Sequence, residues 1–556
     1  MTTSERVGAE IGAALRRAAE ELGWPAEARS VEPQVEHPAD PKHGDLATSV
    51  ALRLAKPVRR PPLEVAEAIR ARLAPGELIA SVEVAPPGFV NVRLSEAWLA
   101  RQVDAIVVAD AAFGRTDRLR GQRIQVEYIS ANPTGPMTVA NARGGPLGDV
   151  IANLLAFHGA DVQREYYVDD SGTQTDALGR SIAVRYRELA GDTSIPFPED
   201  GYQGDYVIDY AKRVRAEDGA RPDRAPFEEQ ARAFAKRALP WIIEDQRRVA
   251  MKFGIRYDEW FSESSLLESG YFADTVEELR RRGAIEDRDG AVWLRSTDPT
   301  DDKEGYVVVR SNGEPTYFGK DIAYHRKCLV DRGLNQKINV WGANTHGHMR
   351  KMRQALEALG IPLERWRVVL YQYVRFVHEG VLTRMGKRTG KFTLLEDVLD
   401  AVGVDVTRFF MLQSSADRQL DFDFELAVQQ SNENPVYYVQ YAHARIASIF
   451  RAAAGQGLSG DGADVSLLRE PAELDLVRAC LRFEELALEL RETLGMHQLT
   501  TYAMELAGLF HGFYRDHRVI GDDPALSKAR LRLIEAVRVT LRQVLGLLGV
   551  SAPDSM

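Results

Sequence analysis

The period of the apolar positions changes along this chain, and each change predicts a different kind of element. From Ser4 to Leu22 apolar residues recur every three or four positions, the pattern of an amphipathic helix. An extended stretch from Val31 to His37 leads to a second helical pattern over Leu46 to Leu54. The Pro61-Pro62 pair starts a third helix that runs through Leu73. Two strand-like runs, Ile79 to Ala85 and Phe89 to Leu94, flank Pro86, Pro87 and Gly88, a turn by composition, and a helix from Ser95 closes the unit. Helices mixed with short antiparallel strands predict a small α+β domain over residues 1–110.

From Arg123 onward strands alternate with helices, as in a parallel sheet covered on both faces. Arg123 to Tyr128 reads as a buried strand, followed by a turn rich in Gly and Pro and a helix running to about His158, with Gly159 at its C-cap. Val162 to Val168 reads as a second strand. From Arg180 to about Phe261 the pattern is helical and charged, an insertion in the sheet domain. The sheet is expected to resume with Ala291 to Leu294 and Tyr306 to Arg310. A helix opening within Pro315 to Tyr324 and stopping at Gly333 follows, then a strand at Ile338 to Trp341, a helix ended by Gly360, and one strand from Trp366 to Phe376. Beyond Phe424 the pattern is helical, with helices near Asn434–Ala452, Ala472–Thr493, Gln498–Tyr514 and Ala525–Leu548, which predicts a helix bundle. The expected fold is multidomain α/β. It comprises the N-terminal α+β unit, a Rossmann-like parallel-sheet domain over 120–375 with a helical insertion at roughly 180–262, a connecting region over 376–430, and an all-α bundle over 431–556.

Composition narrows the picture only in part. The 556 residues suffice for several domains, and 45% hydrophobic with 27% charged residues is the balance of a soluble globular protein. No signal pattern opens the chain, and no apolar run approaches the ~20 residues that span a bilayer. Two cysteines, Cys328 and Cys480, make neither a disulfide framework nor a four-ligand zinc site, which fits a reducing cytoplasm. A net charge of −10 argues against bulk electrostatic binding of nucleic acid, so any RNA contact must use local basic patches.

The candidate chemistry begins at the first strand of the sheet domain. A strand feeding a small-residue turn and a helix N-terminus receives phosphates, because free N–H groups and the helix dipole both favour an anion. A carboxylate there would repel the anion, so Glu127, with Asn132 five residues on, is expected to serve a cation beside it. Tyr317 and Asp321, four apart, would share a helix face and could hold a guanidinium, the acid by a two-pronged hydrogen bond and the ring by stacking. A packing tyrosine and a helix-dipole aspartate are the plainer alternative. Gly342, Ala343, Asn344 and Thr345 supply the small residues that a ligand crevice at a strand end requires. His346 and His348, without Cys or carboxylate partners nearby in sequence, do not read as a metal site. Arg384 to Lys391 places four basic residues among two glycines, a loop suited to offsetting charge on a polyphosphate or simply to solvation. In the helical part, Tyr437, Tyr438 and Tyr441 could stack on unpaired bases or fill a core. Lys528 with Arg532, and Arg538 with Arg542, make a basic stripe or a solvated face.

Residues 123–145 resemble the first signature of class I aminoacyl-tRNA synthetases, and Ser130 to Pro136 resembles the arginyl family in particular. The signature's usual His-Val/Ile-Gly-His is here Thr138-Val139-Ala140-Asn141. Arg384 to Lys387 resembles the family's Lys-Met-Ser-Lys loop, with the second lysine kept. Asp169 to Gln174 resembles its Asn-Asp-x-Gly-x-Gln run, with Asp169 for the first Asn. Trp341 to Gly347 resembles Trp-Gly-Ala-Asp-His-His-Gly, with Asn344 for the acid and Thr345 for the first histidine. Lys42 to Leu54 and Gly88 to Leu99 resemble the N-terminal domain that contacts the tRNA elbow, and Asn434 to Arg445 the start of the anticodon-binding domain.

The resemblance implies catalytic roles for Thr138, Asn141, Arg384 and Lys387, and arginine binding by Glu127, Ser130, Asn132, Tyr317, Asp321 and Thr345. It implies ATP binding at Pro133, Gly135, Gly144, Gly342 and Asn344, and at Val374, Met385 and Gly386. Contacts to tRNA fall on Tyr437, Tyr441, Arg445, Arg538 and Arg542. The implied activity is ligation of L-arginine to tRNA(Arg) through an arginyl-adenylate. ATP with Mg2+ is the substrate complex, AMP and pyrophosphate leave, and tRNA must be bound for the first step. A cytoplasmic monomer without zinc or membrane contact is expected. A degenerate paralogue that binds arginine or tRNA without activating the amino acid, and a small-molecule adenylyltransferase with the same core, are the rival readings.

Overall fold

The computed structural model describes residues 1–219, 225–299, 304–378, 381–383 and 394–556, with backbone alone at 378 and 381–383. In the N-terminal unit, β1 (Leu46–Thr48), β2 (Ile79–Ala85) and β3 (Phe89–Leu94) form an antiparallel sheet with β3 in the centre. Helices α1 (Thr3–Glu21), α2 (Ala26–Arg29), α3 (Val50–Val58), α4 (Pro62–Arg70) and α5 (Glu96–Ala109) complete it. Thr2 and Glu5 make a reciprocal capping box on α1, and the Ser95 hydroxyl caps α5. The helix expected from Leu46 begins only at Val50. Asp45 N–H donates to Val92 O at 2.9 Å and the Asp45 carboxylate accepts from Leu94 N–H at 2.7 Å, which locks Leu46–Thr48 onto β3 as a strand.

The central sheet takes β4 (Arg123–Tyr128), β5 (Asp161–Val168) and β6 (Glu259–Ser262) on one side. Helix α6 (Gly144–Phe157) crosses from β4 to β5. It packs so closely that a Cβ on Gly148 would lie 2.2 Å from the Tyr128 ring. The insertion supplies α7 (Thr173–Glu188), α8 (Asp205–Asp218) and α9 (Phe227–Lys252), with a core of its own that includes Leu178, Ile182, Val207, Phe234 and Ile242. Its end is not helical: Trp260 stacks on Tyr166 with centroids 4.0 Å apart, and Phe261 is buried, so this stretch pairs with β5 as the edge strand β6.

After α10 (Ser264–Glu268) and α11 (Tyr271–Arg281), β7 (Ile285–Arg288), β8 (Ala291–Arg295) and β9 (Gly305–Val309) make a separate antiparallel sheet. The two runs expected to resume the parallel sheet therefore lie outside it. The cause is Asp289-Gly290, both at positive φ, a two-residue hairpin turn that returns the chain antiparallel. Helix α12 (Tyr317–Arg326) leads to β10 (Gln336–Gly342), α13 (His346–Ala358) and β11 (Trp366–Tyr371). The parallel sheet then has the order β11-β10-β4-β5-β6.

The single strand expected over Trp366 to Phe376 is two. β11 ends at Tyr371, and β12 (Val374–His378) enters another sheet with β13 (Val381–Thr383) and β14 (Leu420–Asp423). Arg143, almost wholly buried, holds the break. Its guanidinium donates to the carbonyls of Gln372 (2.8 Å), Arg418 (2.6 Å), Ser414 (3.1 Å) and Ser415 (2.8 Å). Burial pushes this guanidinium down to about 10.

Helices α14 (Leu395–Val402), α15 (Val404–Leu412) and α16 (Phe424–Val428) lead into α17 (Pro435–Gly455), α18 (Pro471–Thr493), α19 (His497–Asp516) and α20 (Pro524–Leu548). The last four form the bundle, and α20 also packs on α5 and α6. No helix among the described residues is long and apolar enough to cross a membrane. Arg408 on α15, fully buried, joins three parts: it contacts Asp149 on α6 at 2.5 Å, Leu548 O at 3.0 Å and Phe253 O at 3.2 Å. Arg408→Met leaves the Asp149 carboxylate only the longer contacts to Arg164 (3.7 Å) and Asn153 (3.4 Å) and should cost about 3 kcal/mol, read as a lower urea midpoint. Arg408→Met combined with Asp149→Leu should recover much of that loss.

Candidate active site

The strand order reverses at β4. The chain leaves β4 toward β5 and β6, and returns on its other side as β10 and β11, so the carboxyl ends of β4 and β10 flank the switch-point crevice. The residues that leave β4, Ile129 and Ser130, both take left-handed backbone (φ 64° and 45°). For a β-branched residue that conformation costs about 1–3 kcal/mol and needs support. Ser130 N–H donates to Tyr128 O at 3.0 Å and Ala131 N–H to Tyr166 Oη at 3.0 Å. Gln246 of α9, fully buried, donates to the carbonyls of Asn132 (3.1 Å) and Gly135 (2.9 Å). Tyr206 of α8 closes on Gly135, where a Cβ would lie 2.8 Å from its ring. The helical insertion thus buttresses the Gly/Pro turn.

A cavity of about 940 Å3 opens between this turn, the loop after β5, Tyr202 to Tyr206 of the insertion, α12 and the end of β10. Of the sequence-predicted residues, Glu127, Ser130, Asn132, Gly135, Thr138 and Asn141 line it from one side, and Tyr317, Gly342, Asn344 and Thr345 from the other. Pro133, Gly144 and Val374 do not line it. Gly144 lies against the Tyr371 ring, and Val374 sits on β12, carried off by the break that Arg143 holds. Arg384, Met385, Gly386 and Lys387 lie outside the described residues. Leu394 and Leu395, however, are pinned to the first signature by a bridge to Thr138 and by Leu395 N–H donating to Met137 O at 3.1 Å. Thr138 and Asn141 engage each other: the Asn141 side-chain oxygen accepts from Thr138 N–H and Oγ1–H, each at 3.2 Å.

Beneath the crevice the charges are paired. Glu127 accepts from Ser130 Oγ at 2.9 Å through one oxygen; through the other it meets Asn339 Nδ2, and Lys337 Nζ at 3.3 Å. Lys337 is fully buried and also donates to Gln125 Oε1 (2.6 Å) and Tyr324 Oη (3.1 Å). The pairing of β10 with β4 sets these contacts, Lys337 opposite Gln125 and Asn339 opposite Glu127. Lys320 of α12 pairs with buried Glu263, which also accepts from Tyr167 Oη (2.7 Å) and Ser171 Oγ (2.5 Å).

Asp321 stands behind the cavity wall rather than in it. His348, which lines the cavity, meets its carboxylate at 2.5 Å, and His325 meets the other oxygen at 3.0 Å. Burial by itself would raise the Asp321 carboxyl, but the two histidines override it and hold it well below the usual carboxylate range. Asp169, on the cavity wall, is pushed up to about 7 by burial and by Glu263, against the pull of Lys320. Tyr317 is half exposed, and the carboxylates of Asp321, Glu127, Asp169 and Glu263 around it raise its phenol. A region this rich in carboxylates attracts a cation.

In the bundle, Tyr437 and Tyr441 stack nearly parallel with centroids 6.1 Å apart, and the Arg445 guanidinium lies 5.0 Å over Tyr441. Arg538 and Arg542 are not a free basic stripe. Arg538 pairs with Asp554 at 3.0 Å and Arg542 with Asp110, while Arg532 holds Asp104 of α5 at 2.8 Å, so these arginines tie the bundle to the N-terminal unit and the chain end. Lys337, Lys320, Glu263 and Gln246 escaped the sequence reading. The one signal was Lys337 itself, a charge immediately before the run Ile338–Trp341 that reads as a buried strand.

Fold and crevice together are those of class I tRNA synthetases. The model of that catalytic domain, "tRNA synthetases class I (R), catalytic domain", matches residues 102–432. "Arginyl tRNA synthetase N terminal domain" matches residues 6–94 and "DALR anticodon binding domain" residues 439–556. The arginine--tRNA ligase of Carboxydothermus hydrogenoformans is 42% identical over 555 residues, 99% of each chain. That of Desulforudis audaxviator is 45% identical over 94% of this chain and 93% of its own. The Thermus thermophilus arginyl-tRNA synthetase structure superposes with a TM-score of 0.76 at 25% identity, covering 99% of this chain and all of that one (100%). The chain belongs to the arginyl-tRNA synthetase family.

Lys337→Met should reveal how much the crevice leans on its internal ammonium. With the ammonium gone Glu127 loses its buried cationic partner, and stability should fall by about 3–5 kcal/mol. Thermal melts of both proteins measure this.

Proposed function

We propose that the chain ligates L-arginine to tRNA(Arg). In the first step an arginine carboxylate oxygen attacks the α-phosphorus of ATP, pyrophosphate leaves, and arginyl-adenylate forms. In the second, a hydroxyl of the 3′-terminal ribose of tRNA attacks the arginyl carbonyl and AMP leaves. The observation that carries this reading is the juxtaposition at the switch point. A strained turn opening into the N-terminus of α6 faces the same cavity as Glu127, Tyr317 and Asp169, with Asp321 behind.

The protein's part is positioning and charge stabilisation. Glu127 and the Tyr317 ring provide for a guanidinium, whose planar fork fits carboxylates as an ammonium does not, and Asp321 adds its charge from behind through His348. Ser130, Asn132 and Thr345 surround the rest of the amino acid. N–H groups of the turn suit the phosphates, while Thr138, Asn141 and, from the cationic loop, Arg384 and Lys387 offset charge building on the leaving pyrophosphate. Gly135, Gly342 and Asn344 border the nucleotide. Mg2+ enters this scheme with the triphosphate. The stacked Tyr437 and Tyr441 with Arg445 offer a platform for unpaired bases. We read the chain as a monomer, and both cysteines are free and buried, which suits the cytoplasm.

ATP–pyrophosphate exchange tests the reading. Arginine should support exchange when tRNA is present and not without it, and Lys387→Ala should slow exchange by about 100-fold or more. No exchange under either condition would favour the degenerate paralogue. Exchange driven by a different small molecule would favour the adenylyltransferase.

A further inference from the structure

Helix α9 holds the Gly/Pro turn at both ends, once directly and once through α14. At the start of the turn the Gln246 amide donates to the carbonyls of Asn132 and Gly135. Its oxygen accepts from Tyr166 Oη at 3.0 Å, so both polar atoms of this buried side chain are used. Arg248, two residues on, sets its guanidinium on the Glu396 carboxylate in a two-pronged pair, Nη1 to Oε1 at 2.5 Å and Nη2 to Oε2 at 2.6 Å. Lys252, one turn further, donates to Glu396 Oε1 at 3.0 Å and pairs with Asp400 at 2.6 Å. Arg248 also pairs with Asp245 of its own helix at 2.8 Å.

Glu396 lies in the first turn of α14, and the two residues before it reach the other end of the Gly/Pro turn. Leu395 N–H donates to Met137 O at 3.1 Å, and Leu394 bridges Thr138. Leu395, Val398 and Leu399 are buried and fasten α14 to the body of the protein. Apolar burial of this kind is non-directional, whereas a two-pronged ion pair fixes how the helix is set against its neighbour. Exposed ion pairs add little to stability, and Arg248 is 52% exposed in its side chain, so the value of the clasp is geometric. One helix thereby sets both anchors of one turn.

We infer that Glu396 is a positioning residue for ATP: clasped by Arg248 and Lys252, it fixes the Met137–Thr138 end of the Gly/Pro turn relative to the Asn132–Gly135 end, in the shape that receives the phosphates. The inference rests on the proposed reading of this turn as the place of the ATP phosphates. It carries a sign that a charge effect does not. Glu396→Gln removes a negative charge and releases two cations, so if charge alone mattered a polyanion would bind tighter. With the clasp undone the end of the turn is free to shift, and ATP should bind weaker.

ATP–pyrophosphate exchange by the full chain with arginine and tRNA, run over a range of ATP and of arginine concentrations, tests this. Glu396→Gln should raise the KM for ATP about tenfold and leave the KM for arginine within about twofold of wild type. Arg248→Met should act in the same direction, and the double variant should be no worse than Glu396→Gln alone, because both changes undo one contact. A KM for ATP that is unchanged or lower in Glu396→Gln would overturn the inference and leave the proposed function standing. Equal rises for ATP and arginine would mark a general loosening of the fold and also overturn it. No arginine-dependent exchange by the wild type would overturn the function reading and this inference with it. Should Glu396→Gln fail to fold, Arg248→Met decides by the same two constants.

Discussion

The ammonium of Lys337, buried in the middle of the parallel sheet, is the constraint on which the candidate site depends. It lies beside Glu127 at the point where strand order reverses. A carboxylate buried there without a partner would carry a penalty of several kcal/mol, or would take a proton and lose its charge. Lys337 and Asn339 on one oxygen and Ser130 on the other partner the Glu127 carboxylate and fix its direction. The same device recurs around it. Lys320 holds Glu263, Arg332 bridges Glu165 and Glu259, and His325 with His348 holds Asp321. Negative charge is thus concentrated beside the cavity without an unpaired ion inside the fold.

The parts of the chain far from this crevice also bear on its shape. The insertion reaches back through Gln246 and Tyr206 to hold the Gly/Pro turn whose backbone is strained. Arg143 and Arg408 join the turn and α6 to the connecting region and the bundle. Arg532 and Arg542 join the bundle to the N-terminal unit. A macromolecule gripping the outer domains would therefore act on elements in direct contact with α6. This is a physical route by which bound tRNA can set the geometry of amino-acid activation.

Local pattern carried much of the fold. Three of the four bundle helices are marked by Pro at N1, two of them with the capping residues Asn434 and Asp523, and the positions of all four could be read within a few residues. Failures came where tertiary pairing overrode periodicity. Leu46–Thr48 is apolar enough for a helix but is captured by β3, and the Trp366-to-Phe376 run is split by an arginine more than two hundred residues earlier. The Asp289-Gly290 turn was a readable hairpin signal that the alternation of strands and helices obscured. In the site, residues within contiguous signatures were found from sequence. Lys337 and Gln246 were not, because their roles follow from strand register and from the fold-back of a distant helix.

The central claim is that the crevice recognises positive charge. The direct measurement compares dissociation constants of arginine and citrulline, nearly the same in shape but without the guanidinium charge, on the full chain with tRNA and an ATP analogue. The account predicts that citrulline binds weaker by roughly 100-fold, the worth of charge-assisted hydrogen bonds in a site lined and backed by carboxylates. Equal affinity for the two would contradict it.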